Sequence, residues 1–500
     1  MGGPVAALDG APTAGVVGGA TAGAADGPTA SVADDRAAGA ADGPAASVAD
    51  DRAAGAADGP AASVADDRAA GAADGPTAGA ADDLILRAAT LLFVNGQTTE
   101  RTIEATERLA VALGCRASLL PRWGELTLRV VHDRTARVEV AAADPVGVDM
   151  GRVAATNRVI DGFCNGKIGA GAVAQRLCEI GVRRPVSLAR FACMAALGAA
   201  ALGVIFGVAH PPSLALIALC AGAGACLRRG LAGVSRNPLI QPFAAALLAG
   251  GVGGVVAHAQ PGASQLLVAV CPCMVLVPGP HLLNGAMDLV RARVALGAAR
   301  VGFAGLVIVM ICAGLLLGLS AAGISLPVSG PAVAVPLVYD VAAAGVAVAA
   351  YGSFFGMPWR SLPIPIGIGM LAHAGRWMVI ARLGGSIEVG AFVACLLVGV
   401  VMTPIADRLR LPFAALAFAS VVSLIPGVFL FRVGGGLVVL AMAGAQAPPG
   451  LLLGIVADGS TALLIILAMT FGLVFPKLVI EHFVGPPGGV AGRGAGGRLG

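Results

Sequence analysis

From Leu188 to about residue 476 nearly every position is apolar, and polar residues are confined to short connections. A helix needs roughly 20 apolar residues to cross a bilayer. Ten such segments can be laid out, at 188–208, 213–227, 239–257, 265–284, 299–319, 333–355, 362–381, 387–405, 411–431 and 451–474. Upstream, at 84–186, the pattern is different. In "DLILRAATLLFVNGQTTERTIEATERLAVALG" apolar residues return every three or four positions, which predicts helix broken near Asn95-Gly96 and stopped at Gly114. "CRASLLP", "ELTLRVV" and "ARVEVAA" then alternate over short runs separated by turn residues, as strands do. Helical spacing resumes in "DMGRVAATNRVIDGFCNG" and "GAVAQRLCEIG", so this region reads as a small soluble α+β domain. Residues 1–83 contain a 16-residue repeat, "AADGPTASVADDRAAG", too poor in large apolar side chains to offset chain entropy, and are expected to be disordered. They lack the basic start and apolar core of a signal peptide.

Composition agrees with the apolar runs. The 500 residues are 57% hydrophobic and 12% charged, with a mean hydropathy of +0.86. Aromatic residues make up only 4% and glycine numbers 73, which favours helices packed through small residues over an aromatic-girdled barrel. A net charge of +4 without a basic, aromatic-interleaved patch gives no sign of nucleic-acid binding. The ten cysteines are scattered, and Cys271-x-Cys273 lacks the remaining ligands of a zinc site, so no metal or cofactor is implied.

Charge placement orients the segments. Arg183, Arg184 and Arg190 precede the first span, Arg228, Arg229 and Arg236 follow the second, and Arg291, Arg293 and Arg300 follow the fourth. The connections 209–212, 258–264 and 320–332 carry no Lys or Arg. By the positive-inside rule the soluble domain is cytoplasmic, and ten spans return the Gly-rich tail at 477–500 to the same side.

Two Pro-Gly pairs, Pro278-Gly279 and Pro426-Gly427, lie 148 residues apart in the fourth and ninth spans. Five spans per half put the halves, 187–325 and 326–476, in opposite orientations. The expected fold is therefore an α-helical polytopic membrane protein whose ten transmembrane helices form two inverted five-helix repeats, preceded by the α+β domain and the repeat tract. Proline removes a backbone donor and clashes with the preceding turn. Irregular backbone is tolerated in lipid only where protein or water satisfies it, so paired breaks suggest a lined cavity.

Ionisable residues inside spans are costly and point to a solute or ion pathway. Asp340, His373, Arg376 and Asp458 qualify, together with His281, Asn284 and Asp288 just past the first break. Asp288 could equally pair with Arg291 at the interface, and Arg376 could snorkel outward. Arg432 occupies the position that corresponds to Asn284, so the two breaks are not chemically equivalent. His132-Asp133 reads as a turn between strands. No Walker sequence, G-x-S-x-G elbow or H-E-x-x-H occurs, so the sequence offers no motif for an enzyme.

"LVPGPHLLNGAMDL", preceded by "NGQTTERTIEATERLAVALG" and "WGELTLRV" and followed by "LIPGVFLFR", resembles the bacterial threonine/serine exporter family in its fused form, over about residues 85–476. The resemblance implies export of L-threonine and L-serine across the inner membrane, driven by the proton-motive force. The partners would be a small amino acid, protons and the lipid bilayer, with a homo-oligomer left open. Some relatives divided into two proteins have been linked to dicarboxylate export, which is the alternative. The family motif carries over to Pro278, Gly279, His281, Asn284, Gly285 and Asp288, and in the second copy to Pro426 and Gly427. Asp340, His373, Arg376 and Asp458 rest on the burial argument alone.

Overall fold

The structure is a computed structural model and describes residues 78–133, 135–259, 263–324, 335–409 and 413–484. The repeat tract before residue 78 and the tail beyond 484, with the expectations placed on them, lie outside the described residues. The amino-terminal part begins with α1 (Ala78–Val94) and α2 (Thr99–Ala112). Their elbow forms where the sequence placed it. Gly96 adopts φ +89°, a left-handed conformation that glycine accepts freely. The Asn95 side chain donates back to the Leu91 carbonyl at 2.7 Å, and the Thr98 hydroxyl accepts from the Arg101 amide at the start of α2.

Strands β1 (Arg116–Arg122), β2 (Gly124–His132) and β3 (Thr135–Ala143) form an antiparallel sheet in that order. Leu119 faces Leu128 across the first pair. The alternation in β2 buries Leu126, Leu128 and Val130. They share a core with Ile85, Leu92, Phe93 and Leu109 from α1 and α2, and with Val153 and Leu177 from α3 (Met150–Cys164) and α4 (Ala170–Val182). His132 bonds Asp82 of α1 at 2.7 Å, while Asp133 occupies the turn at φ +48°.

The apolar remainder is helical: α5 (Leu188–Ile205), α6 (Pro211–Val234), α7 (Ile240–Ala259), α8 (Ala263–Met274), α9 (Gly279–Val290) and α10 (Val294–Ala321). After residues outside the description come α11 (Leu337–Phe354), α12 (Pro363–Trp377), α13 (Ile387–Leu409), α14 (Phe413–Val421), α15 (Gly427–Ala443) and α16 (Pro449–Val484). Among the described residues nine helical segments are long and apolar enough to cross a membrane, or ten if α8 and α9, bent by 51°, count as one span. The chain is a mostly helical, multi-pass membrane protein.

Two expected spans are redrawn. The segment at 265–284 is the broken pair α8–α9, reaching Val290. The segment at 411–431 is not one helix: α14 stops at Val421, and α15, itself long enough to span, starts only at Gly427. Proline interrupts both, because neither Pro278 nor Pro426 can donate to a continuing ladder.

Small residues set the closest helix contacts. Gly250, Gly314 and Gly318 bring α7 and α10 so near that a methyl group on any of them would overlap backbone of the facing helix. Gly399 of α13 and Gly472 of α16 do the same, a β-carbon on Gly399 falling 2.6 Å from the Gly472 carbonyl oxygen. Gly302 of α10, by contrast, has open space beside it.

The amino-terminal elements cap one end of the bundle. Met150 is buried in the bundle core, and Leu296 of α10 is buried in the core of the amino-terminal elements. The Met150 amide donates to the Phe355 carbonyl, in the loop after α11, at 2.9 Å. Gly399→Leu is expected to lower stability by about 1–3 kcal/mol through overpacking, whereas Gly302→Leu should leave it unchanged; thermal unfolding in detergent checks both.

Candidate functional site

The two Pro-Gly sequences build the same backbone device. Pro278, at φ −84° and ψ 59°, is the centre of a tight turn in which the Gly279 amide donates to the Val277 carbonyl at 2.9 Å. Pro426, at φ −76° and ψ 42°, is the centre of its counterpart, with Gly427 donating to Ile425 at 2.8 Å. Both match an inverse γ-turn, for which the proline ring presets φ. Each turn starts a helix whose first amides follow the proline carbonyl, as in Leu282 to Pro278 and Leu430 to Pro426.

The breaks pack on each other's approach helices. Gly279 lies against the ring of Phe418 in α14, with no room for a side chain, and Gly427 lies against Met274 at the end of α8. The Tyr351 hydroxyl of α11 donates to the Met274 carbonyl at 3.2 Å, satisfying an acceptor at the break. A cavity of about 40 Å³ remains beside Gly279, Phe418, Pro426 and Met469.

Past the first break, Asn284 and Asp288 meet the α1–α2 elbow. The Asn284 amide donates to the Gly96 carbonyl at 3.3 Å, and the Thr99 hydroxyl donates to the Asp288 carboxylate at 3.0 Å. Asp288 and Arg300 are both buried, with Arg300 Nε 3.5 Å from the carboxylate and its guanidinium 5.2 Å from the Phe93 ring centroid. Asp288 is thus paired chiefly with Arg300 of α10 and also approached by Arg293, at 3.7 Å. Gly285 permits the close α9–α10 crossing, since a β-carbon there would meet Val301 at 2.9 Å. His281 packs edge-on to Phe303, which also meets Trp123 from the β1–β2 turn at 5.1 Å.

Arg293 donates to Glu100 at 2.6 Å. Burial alone would raise the Glu100 carboxyl, but the Arg293 hydrogen bond and the charges of Arg291 and Arg293 outweigh it and hold the group below its ordinary value. A second link joins Arg101 of α2 to Asp407 of α13. The cap therefore holds helices from both parts of the bundle.

Beside the second break lies a buried polar string. His373 Nδ1 is 3.1 Å from Asp340 Oδ2, and His373 Nε2 is 2.6 Å from the Ser423 hydroxyl. Asp340 comes from the first turn of α11, His373 from the last turns of α12, and Ser423 from the turn between α14 and Pro426. Arg376 is within electrostatic reach of Asp340. Asp458 of α16 stands apart from this string, within reach of Arg432 of α15.

The sequence singled out Asp340, His373 and Arg376 without showing that the first two are in contact. It missed Thr99, Arg300 and Ser423. Ser423 stands three residues before Pro426, and that proximity is the one signal that could have marked it. Arg300 was read only as one of the positive charges flanking a span. Among the described residues there is no cluster of three or more metal-ligating side chains.

Removing one partner of a buried ion pair strands the other. Asp288→Ala is expected to destabilise the protein by about 3–5 kcal/mol, and the double replacement Asp288→Leu with Arg300→Met to recover much of that loss; thermal unfolding of the purified variants tests it. Because the Glu100 carboxyl is lowered, its contribution is present above the ordinary carboxylate value and is lost as pH falls through the lowered one. Glu100→Gln should accordingly flatten the acid limb of the stability profile.

Comparison with known proteins adds the family. A threonine/serine exporter family model matches residues 83–322, and a second, described as "Threonine/Serine exporter, ThrE", matches residues 340–479. No curated protein and no solved structure matches the chain. The first match runs from the amino-terminal cap through the first Pro-Gly break, and the second takes in the Asp340–His373–Ser423 string and the second break. The chain belongs to the threonine/serine exporter family.

Proposed function

We propose that this protein is a secondary transporter that exports L-threonine and L-serine across the bacterial inner membrane in exchange for protons. The family supports the amino acid as cargo. The observation that carries the proton is the buried Asp340–His373–Ser423 string set against the second helix break.

The helices can be grouped as α5 to α10 and α11 to α16, two inverted five-span repeats in which α8–α9 and α14–α15 are the interrupted fourth members. In such repeats a solute site lies where the broken helices meet, and access alternates as one half rocks against the other. The reciprocal contacts of Gly279 with Phe418 and of Gly427 with Met274 support reading the two breaks as such a meeting point.

The arginines near the capped end make that end cytoplasmic. Asp340 is 15 residues before Phe355, a loop residue bonded to the cap, and therefore about 22 Å away along the helix at 1.5 Å per residue. This distance supports reading Asp340 as the periplasmic end of the string, where protons would enter under the proton-motive force. From Asp340 the string leads through His373 to Ser423 at the break. A proton taken up there would change the charge beside Pro426 and bias the two halves toward the opposite access state, while the amino acid leaves outward.

Dicarboxylate export would call on Arg376 or Arg432 as substrate ligands. Both guanidinium groups already have a carboxylate in electrostatic reach, Asp340 and Asp458 respectively, which favours the amino acid reading.

Cells loaded with a threonine dipeptide should release threonine in a manner that depends on this protein and stops with an uncoupler. His373→Gln should cut uncoupler-sensitive efflux by about 100-fold, the scale of losing a positioned proton-transfer group. Efflux that is unchanged by deletion of the gene, or that ignores the uncoupler, would count against the proposal.

A further inference from the structure

Between the cap and the bundle lies a second, larger cavity of about 350 Å³, within the range of about 300–1,000 Å³ usual for small-molecule sites. Its roof is the Val146–Val148 segment that connects β3 to α3, and its floor is the non-helical stretch from Val275 to Pro278 at the first break. Phe191, Phe303, Phe354 and Phe355 supply apolar walls.

Into this apolar chamber α6 brings Arg228. Its guanidinium carbon lies 5.8 Å from the Phe191 ring centroid and 5.5 Å from that of Phe354. Its Nε is buried and has no hydrogen-bond partner. Among the described residues no carboxylate forms an ion pair with it, and the charge that acts on it is the like charge of Arg229. Three other arginines at this end have carboxylate partners: Arg293 has Glu100, Arg101 has Asp407 and Arg300 has Asp288. Arg228 is half-buried; a cation partly withdrawn from water without a counter-charge is unfavourable, and an anionic ligand in the cavity would relieve it.

We infer that this cavity is the cytoplasmic loading site of the exporter and that Arg228 binds the carboxylate of the incoming amino acid. The inference rests on the exporter reading and names the residue through which it begins. The guanidinium fork matches a carboxylate in a way that a single ammonium point charge does not. Gln241, which also lines the cavity, offers an amide to the substrate hydroxyl, and the non-helical backbone of Val275 and Leu276 lines the side on which the substrate's ammonium group would lie. The site borders Pro278, so a bound solute would lie against the backbone that the alternating-access step must move.

The test uses the full-length protein in lipid nanodiscs for binding and in proteoliposomes for efflux. Wild type should bind threonine and should not bind threoninol, the same molecule with an alcohol in place of the carboxylate. Arg228→Gln should weaken threonine binding by about ten-fold or more, as loss of a charge-assisted hydrogen bond implies, with Arg228→Lys in between. The efflux KM should rise in parallel while the maximal rate changes less. Threoninol that binds wild type as well as threonine does, or threonine binding unchanged in Arg228→Gln, overturns the site, the first without recourse to a variant that must fold. Inorganic phosphate that displaces threonine only when Arg228 is present supports an anion-binding guanidinium. Failure is separable from that of the exporter reading: threonine efflux with an Arg228-independent KM removes the site alone, whereas carboxylate-dependent binding without threonine or serine efflux removes the exporter reading alone.

Discussion

A backbone amide or carbonyl freed inside hydrocarbon must find a partner in the protein, and much of this structure follows from meeting that demand twice. Pro278 and Pro426 each end a helical ladder, and each replaces it locally with a γ-turn closed by the following glycine. Tyr351 satisfies the carbonyl of Met274, the last residue before the first break. The glycines then let the two interrupted segments approach each other so closely that Phe418 occupies the place of a side chain on Gly279. Polar groups can gather at such a place because the cost of irregular backbone has been met by neighbouring helices.

The amino-terminal elements are part of the same solution. The region past the first break would otherwise present a buried carboxylate, Asp288, with only arginine side chains such as Arg300 and Arg293 to balance it. The elbow at Asn95–Thr99 adds the Thr99 hydroxyl and takes up the Asn284 amide, and Leu296 and Met150 are exchanged between the two cores. Since the same cap also holds Asp407 through Arg101, it ties α9 and α10 to α13. Under the alternating access proposed above, a cap that spans both parts would resist opening at that end. It would also shape the chamber around Arg228, whose roof it forms.

Several of these features were legible from residue order. The period of three to four residues in α1 and α2, the Asn95-Gly96 elbow and the alternation of β2 are local, and the structure keeps them because the core rewards the same faces that the pattern marks. The apolar runs gave the approximate place of the long helices, and the paired Pro-Gly sequences marked both breaks. The lengths of the interrupted segments were less accessible. Hydropathy is as high on either side of Pro426 as across it, so the sum over a window cannot show that α14 stops at Val421 and α15 starts anew.

By itself, the sequence determined that this chain crosses a membrane many times, that its amino-terminal region combines helices with short strands, and that one group of polar exceptions follows the first Pro-Gly pair. These properties depend on composition and on spacing of at most a few residues. Only the tertiary structure decided what each polar exception meets. Asp288 and Thr99 are 189 positions apart in sequence, and His373 and Ser423 are 50 apart, so their pairing depends on which helices become neighbours. Arg300 and Arg228 look alike in sequence, as arginines near the ends of apolar runs. Burial beside Asp288 gives the first a counter-charge, and a half-buried place among phenylalanines leaves the second without one.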